Sequence, residues 1–242
     1  MHGTYSQARY NQDMKRRYFG QYCGLARALE LVGERWGLLI IRDLTVRPQR
    51  YTDLFDGLPG IPTNVLSTRL KELEEAGIVE RRIAPAPQRG VLYALTPAGH
   101  DLEPAVSALG RWGTAQLGEP RPGELVTPSA VVMALRAAFD PHAAAGLTAS
   151  WEIHAGDIEV HAAVTEGRLT AGIGPAVGKP DLVIDFEPDD LPSYLALMQA
   201  AECGLVKLDG PRELLDTFIR VFGPSKATPP DAPADRSAAL DE

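Results

Sequence analysis

The segment Pro62-Thr-Asn-Val-Leu-Ser-Thr-Arg-Leu-Lys-Glu-Leu-Glu-Glu-Ala-Gly77 opens with a helix-compatible proline and stops at a glycine, bounds that predict one short helix. Its phasing separates two faces. Val65, Leu66, Leu70 and Leu73 form an apolar stripe, while a turn of about 100° per residue carries Asn64, Ser67, Thr68 and Lys71 to the opposite side. That outer face bears hydrogen-bonding groups and few acids near its N-terminal end, as a helix entering a DNA major groove requires. Pro62, Thr63, Asn64, Ser67, Thr68, Arg69 and Lys71 are therefore the candidate DNA contacts. Arg69 flanks the apolar stripe, so it suits a phosphate contact or an internal ion pair better than a base edge.

Outward from this helix, Leu25, Leu29 and Val32 recur at helical spacing before Gly33, and Trp36, Leu39, Ile40 and Leu44 do so after it. Pro48 closes the second helix, and Tyr51 to Gly57 reads as a short third one. On the other side, Ile78–Ala84 and Val91–Thr96 have strand character and are joined by Pro-Ala-Pro-Gln-Arg-Gly. This predicts a hairpin whose tip offers Gln88 and Arg89 to the DNA backbone or minor groove. Thr96-Pro-Ala-Gly then opens a helix expected to run to about Leu117, with Leu102, Val106, Leu109 and Trp112 on an apolar face suited to a partner. The N-terminal part is thus a mainly-α winged helix with a β-hairpin wing.

The order of several motifs makes the resemblance specific. Cys23-Gly-Leu-Ala-Arg-Ala-Leu, Gly33-Glu-Arg-Trp-Gly-Leu-Leu-Ile-Ile-Arg-Asp-Leu, Leu58-Pro-Gly-Ile-Pro, Leu66 through Val79 and Tyr93-Ala-Leu-Thr-Pro-Ala-Gly closely resemble the HxlR family. That resemblance, over about residues 20–115, implies a MarR-related winged-helix transcriptional regulator. It further implies a homodimer, formed through the N-terminal and domain-terminal helices, that binds double-stranded DNA. Some members of the family carry a reactive thiol where Cys23 stands, which makes Cys23 a candidate redox sensor. From its neighbours Tyr22, Leu25 and Leu29 alone, the same cysteine reads as a packing residue.

The chain has 242 residues and a net charge of −8, which looks unfavourable for a DNA binder until it is divided. Residues 1–119 carry 15 Lys and Arg against 13 Asp and Glu, and the remainder carries 9 against 19. The acidic half repels phosphate, so DNA contacts belong to the first half. Prolines and glycines between 118 and 124 mark a linker, and Pro120 and Pro122 suit a stiff one. We divide the chain into an arm (1–19), a winged helix-turn-helix domain (20–117), the linker (118–124), a C-terminal domain (125–223) and a Pro- and Ala-rich tail (224–242) expected to be disordered. The start lacks an apolar segment and the longest apolar run is short, so we expect no signal peptide or membrane span and a cytoplasmic location. Cys23 and Cys203 make no CxxC pair, which agrees with a reducing compartment.

Beyond the linker we expect a helix around Val131–Ala138, strands near Leu147–Ile153, Ile158–Val164 and Asp181–Glu187, a helix over Leu191–Ala201, and a short strand and helix from Leu205 to Phe222. The class is α+β. Pro180-Asp-Leu-Val-Ile-Asp-Phe, Leu195-Ala-Leu-Met and Gly-Pro-Arg-Glu-Leu-Leu-Asp-Thr-Phe-Ile-Arg-Val-Phe resemble sterol-carrier-protein-like domains. The resemblance implies a module that encloses a small apolar ligand, with Trp151, Leu195, Met198, Phe218 and Phe222 as candidate lining. The same residues could instead fill a core. Glu152, His154, Glu159 and His161 fall on the solvent side of a half-buried sheet by strand parity, and no hydrolytic motif accompanies them, so neither catalysis, metal nor cofactor is expected. The alternative to a ligand-responsive DNA binder is a lipid-carrier or protein-interaction protein that keeps the winged helix only to dimerise; an enzyme is the third reading.

Overall fold

The computed structural model describes residues 18–85, 89–118, 121, 123–186 and 194–223, with the side chains of 194–197 left aside. The arm before Tyr18, Gln88, Pro120, Pro122, the tail from 224 and the Leu195 side chain lie outside the described residues. Four helices come first: α1 (Gly24–Val32), α2 (Gly37–Val46), α3 (Tyr51–Asp56) and α4 (Thr63–Glu75). Leu66, Leu70 and Leu73 of α4 are buried against Ile40, Ile41 and Leu44 of α2 and Leu54 of α3, so the period-3.6 stripe does form the core face. Gly77, at φ +70°, takes the left-handed conformation that ends α4, and its lack of Cβ makes that turn inexpensive.

Strands β1 (Val79–Ile83) and β2 (Val91–Leu95) pair antiparallel to form the wing. Gln49 adds a third, single-residue rung through reciprocal backbone bonds with Tyr93 of 2.9 and 2.7 Å. Thr96 then caps α5 (Pro97–His100) by accepting from the Gly99 amide, and its hydroxyl donates to the Gly77 carbonyl at 2.6 Å. A Cβ on Gly99 would lie 2.3 Å from the Ile78 carbonyl oxygen, so only glycine permits this helix to sit on the wing.

The single helix expected over 96–117 is two. It breaks at Asp101–Leu102, and α6 (Glu103–Thr114) resumes with Pro104 in its first turn. Proline has no amide to donate to the preceding turn and its ring collides with the carbonyl four residues back, so a helix can start there but not pass through.

The C-terminal module consists of α7 (Pro128–Ala138), β3 (Ala149–Ala155), β4 (Ile158–Thr165), β5 (Arg168–Ile173), β6 (Leu182–Phe186), α8 (Tyr194–Cys203), β7 (Lys207–Asp209) and α9 (Glu213–Phe222). The five strands lie in the order β5-β4-β3-β6-β7, antiparallel except for the parallel pair β3 and β6. Alternate residues of β3, β4 and β6 are buried, which places Trp151, Ile153, Val160, Leu182 and Ile184 in one core with Phe218 and Phe222 of α9. The α+β class therefore holds for this half, although β5 was not foreseen.

The two halves touch directly. Helix α7 packs on α2 and α6 of the winged helix as well as on β4 and β5. Arg136 of α7 joins them, donating to the Thr45 carbonyl of α2 at 3.3 Å, to Glu103 of α6 at 3.4 Å and to the Ala171 carbonyl of β5 at 3.0 Å. No described helix is long and apolar enough to cross a membrane.

Asp43 lies in this junction, completely buried beneath Ser129 of α7. Its Oδ1 accepts from Arg42 Nε at 2.8 Å, while Oδ2 has no hydrogen-bond partner among the described residues. Burial raises its pKa above the ordinary 3.8, opposed by the adjacent Arg42 charge and hydrogen bond and by the nearby Ser129 hydroxyl. A carboxyl that holds its proton longer in the folded state binds more protons there than unfolded. Stability is then lost as pH rises from about 3.8 through the raised value. Asp43→Asn, which does not titrate, is expected to gain stability relative to the wild type as pH rises from 4 towards 8, on top of a pH-independent cost from leaving Arg42 without its charge partner. The gain should shrink as pH falls towards 4. Thermal melts across pH check this, and a gain that grows on acidification contradicts it.

Candidate nucleic-acid interface

Helix α4 presents Pro62, Thr63, Asn64, Ser67, Thr68 and Lys71 to solvent along one side. In the free protein its hydroxyls turn back on the helix: Ser67 Oγ donates to the Thr63 carbonyl at 2.9 Å and Thr68 Oγ1 to that of Asn64 at 2.8 Å. Their oxygen lone pairs stay available to a donor from outside. Tyr51 of α3 donates to the same Thr63 carbonyl at 2.8 Å and lies 3.2 Å from Ser67 Oγ, which fixes the start of α4 against α3. No side chain caps the N-terminus of α4, and its first turn carries no acid. Unpaired amides at a helix start favour an anion.

Arg69 takes the internal role. Its guanidinium pairs with Glu34 at 3.1 Å and with Glu72, half-hidden between α4 and the loop before α2, so it is turned away from any phosphate. Lys71 is exposed and loosely paired with Glu75 at 3.6 Å.

On the wing, Arg89 is exposed and no carboxylate among the described residues lies within ion-pair reach of it. Three further arginines, absent from the candidates read from sequence, lie on or beneath the wing. Arg81 pairs with Glu74 at 2.9 Å and stacks on the Tyr93 ring at 5.7 Å, and Arg82 pairs with Glu80 at 2.6 Å. Arg50 reaches under the wing tip, its Nη1 standing 2.9 Å from where a Cβ of Gly90 would be. The paired arginines of β1 could have been suspected from the run Glu80-Arg-Arg; Arg50 could not, because its place depends on the Gln49–Tyr93 rung.

Cys23 stands just before α1 and is exposed, which corrects the packing expectation: Tyr22, Leu25 and Leu29 are exposed with it. Leu25 and Leu29 turn outward from this chain, and of the residues at helical spacing only Val32, further along α1, reaches the core, so Cys23 has no packing to join. The nearby backbone amides of Ala26 and then Leu25, at the start of α1, hold the thiol below its usual pKa range. Helix α6 is likewise amphipathic with no buried residue, and Leu109 and Trp112 are exposed, Trp112 by 65%.

In the C-terminal module Trp151, Phe218 and Phe222 have no exposed surface. Their rings pack on one another with centroids 4.9 to 5.9 Å apart, Phe139 adds a fourth at 6.0 Å from Phe222, and Met198 is buried in the same core. The indole N–H of Trp151 donates to the Leu214 carbonyl at 3.0 Å, so the ring is held at both ends. These side chains touch each other, and a ligand among them would have to part rings already in contact.

A three-helix core, a fourth helix with an open polar face and a basic β-hairpin beside it define a winged helix-turn-helix protein of the DNA-binding type. The model of the HxlR-like helix-turn-helix matches residues 31–120. YodB, an HTH-type transcriptional regulator of Bacillus subtilis, is 38% identical over 93 residues, 38% of this chain and 82% of YodB. YtfH, an HTH-type transcriptional regulator of Escherichia coli K12, is 32% identical over 115 residues, 47% of this chain and 91% of YtfH. The chain belongs to the HxlR-like helix-turn-helix family. An HTH-type transcriptional regulator of Mycobacterium tuberculosis is 43% identical over 110 residues, 46% of this chain, and the match spans 66% of that relative's length. The solved structure of the reduced form of the transcriptional regulator YodB from B. subtilis is 35% identical with a TM-score of 0.35, the match covering 43% of this chain and 100% of that one.

Proposed function

We propose that this protein is a homodimeric transcriptional regulator that reads double-stranded DNA with α4 and holds the backbone with the wing. The observation that carries it is the side-by-side exposure of Asn64, Ser67, Thr68 and Lys71 on a helix whose opposite side is locked into the core, with Arg89 on the hairpin beyond. Two symmetry-related copies of α4 would meet half-sites about one helical turn, ~10 bp, apart. The exposed apolar side chains Leu25 and Leu29 of α1 and Leu109 and Trp112 of α6 supply the dimer surface, because apolar side chains that the chain itself leaves uncovered are free to pack on a partner.

Two finer readings accompany this. Residues 125–223 act as a sterol-carrier-like effector module for a small apolar molecule, and the direct contact of α7 with α2 and α6 gives such a ligand a route to the DNA-reading helices. Occupancy would require Trp151, Phe218 and Phe222 to separate, so the ligand-bound arrangement would differ from this one. Cys23, exposed and with its pKa lowered, serves as a redox or electrophile sensor.

Quantitative mobility shifts test the reading. Ser67→Ala with Thr68→Ala should cost about 1–3 kcal/mol on the cognate site and little on random duplex, collapsing the specificity ratio. Arg89→Ala should weaken all duplexes alike and reduce the salt slope by about 1. A double variant that keeps wild-type discrimination overturns the assignment of α4. Repeating the titration after thiol alkylation, with Cys23→Ser alongside, tests the sensor: an effect of alkylation that persists in Cys23→Ser removes Cys23 from that role.

A further inference from the structure

The sheet face turned away from α9 is not the open solvated surface that strand parity suggests. Glu152 and His154 of β3, His161 of β4 and Asp185 of β6 are part-buried there, with Glu159 of β4 beside them. Register brings them together: His154 faces Glu159 on one side and Asp185 on the other, and Glu152 faces His161. His154 Nδ1 lies 2.8 Å from Asp185 Oδ1, and its Nε2 lies 2.9 Å from Glu152 Oε1 and 3.7 Å from Glu159 Oε1. The other oxygen of Glu152 accepts from the Ala176 amide at 2.7 Å, which fixes that carboxylate in place.

We propose that Glu152, His154 and Glu159 form a binding site for a divalent cation of the zinc class, with Asp185 orienting the imidazole. One ligand atom from each of the three lies within 4.8 Å of the others. Tetrahedral coordination with bonds of about 2.1 Å needs donors about 3.4 Å apart, and the spacings of 2.9 and 3.7 Å from His154 Nε2 to the two glutamates bracket that value. A metal-bound histidine commonly donates its other ring N–H to a carboxylate, and Asp185 occupies that position on Nδ1, which leaves Nε2 directed at the two glutamates. Charge points the same way. Three carboxylates surround one imidazole, and a dication among them offsets two of their three negative charges. Mixed nitrogen and oxygen donors favour zinc-class ions over magnesium or calcium, which prefer all-oxygen shells. Three protein ligands leave a fourth position for water.

The experiment is isothermal titration of the untagged, EDTA-treated full-length protein with ZnCl2, followed by X-ray absorption at the zinc edge. One equivalent per chain with a Kd of micromolar or tighter is expected, with a first shell of nitrogen and oxygen only. His154→Gln and Glu159→Gln should each weaken binding at least tenfold, and Asp185→Asn about tenfold although it removes no ligand. His142→Ala, at an exposed site elsewhere, should bind as wild type. Circular dichroism in EDTA verifies that each variant is folded, and the Asp185→Asn arm stands if a glutamine variant is not. No saturable binding, sulfur in the first shell, or wild-type affinity in His154→Gln overturns the site. Tighter binding of calcium than zinc overturns the assigned class.

Discussion

Leu109→Glu combined with Trp112→Glu on α6 is expected to leave a folded monomer whose affinity for operator DNA is lower by about 10²–10⁴-fold. Both side chains are exposed in the single chain and neither contributes to its core, so two charges there should cost the fold little. In a dimer the same positions would be covered, and four carboxylates brought together across a two-fold axis would be desolvated without partners. The DNA effect follows from linkage. In a dimer the first bound half-site holds the second recognition helix at high effective concentration over the next groove, and a monomer loses that advantage without losing any contact of its own. Light scattering and mobility shifts on the same sample separate the two claims. A variant that remains dimeric at micromolar concentration shows that the pairing surface lies elsewhere, and a monomer with undiminished affinity shows that dimerisation is not used in DNA binding.

Phe222→Ala should destabilise the C-terminal module by about 3–5 kcal/mol. The ring is fully buried and touches three others, with centroids 4.9 Å from Phe218, 5.7 Å from Trp151 and 6.0 Å from Phe139. Its removal loses the transfer energy of the ring and opens a void that Trp151, held by its bond to Leu214, is poorly placed to fill. Denaturant melts followed by tryptophan fluorescence measure the loss. The variant also bears on the effector reading. If the aromatic cluster is simply a filled core, a small apolar probe such as benzene should raise the Tm of Phe222→Ala and leave the wild type unchanged. If the wild type is stabilised as well, its rings part readily enough to admit a ligand.

What could be read from residue order alone was whatever repeats locally. The stripe Leu66, Leu70, Leu73 and the polar side Asn64, Ser67, Thr68, Lys71 lie on opposite sides of one helix because a 3.6-residue period needs no information from elsewhere in the chain. The alternation of Trp151 and Ile153 with Glu152 and His154 follows from a period of two in the same way. The break before α6 was also written in the sequence, at Pro104, but the apolar spacing of Leu102, Val106 and Leu109 masked it.

Tertiary structure decided everything that depends on distant partners. The parallel pairing of β3 with β6 across a long connection, the edge position of β5 and the Gln49–Tyr93 rung that brings Arg50 beneath the wing are long-range pairings that no local period encodes. The exposure of Cys23 and the internal ion pairs of Arg69 likewise depend on which neighbours the fold supplies. Parity could say that Glu152, His154, Glu159 and Asp185 point the same way. Only the register of three strands sets His154 between Asp185 and the two glutamates, because side chains on one sheet face meet across strands rather than along them.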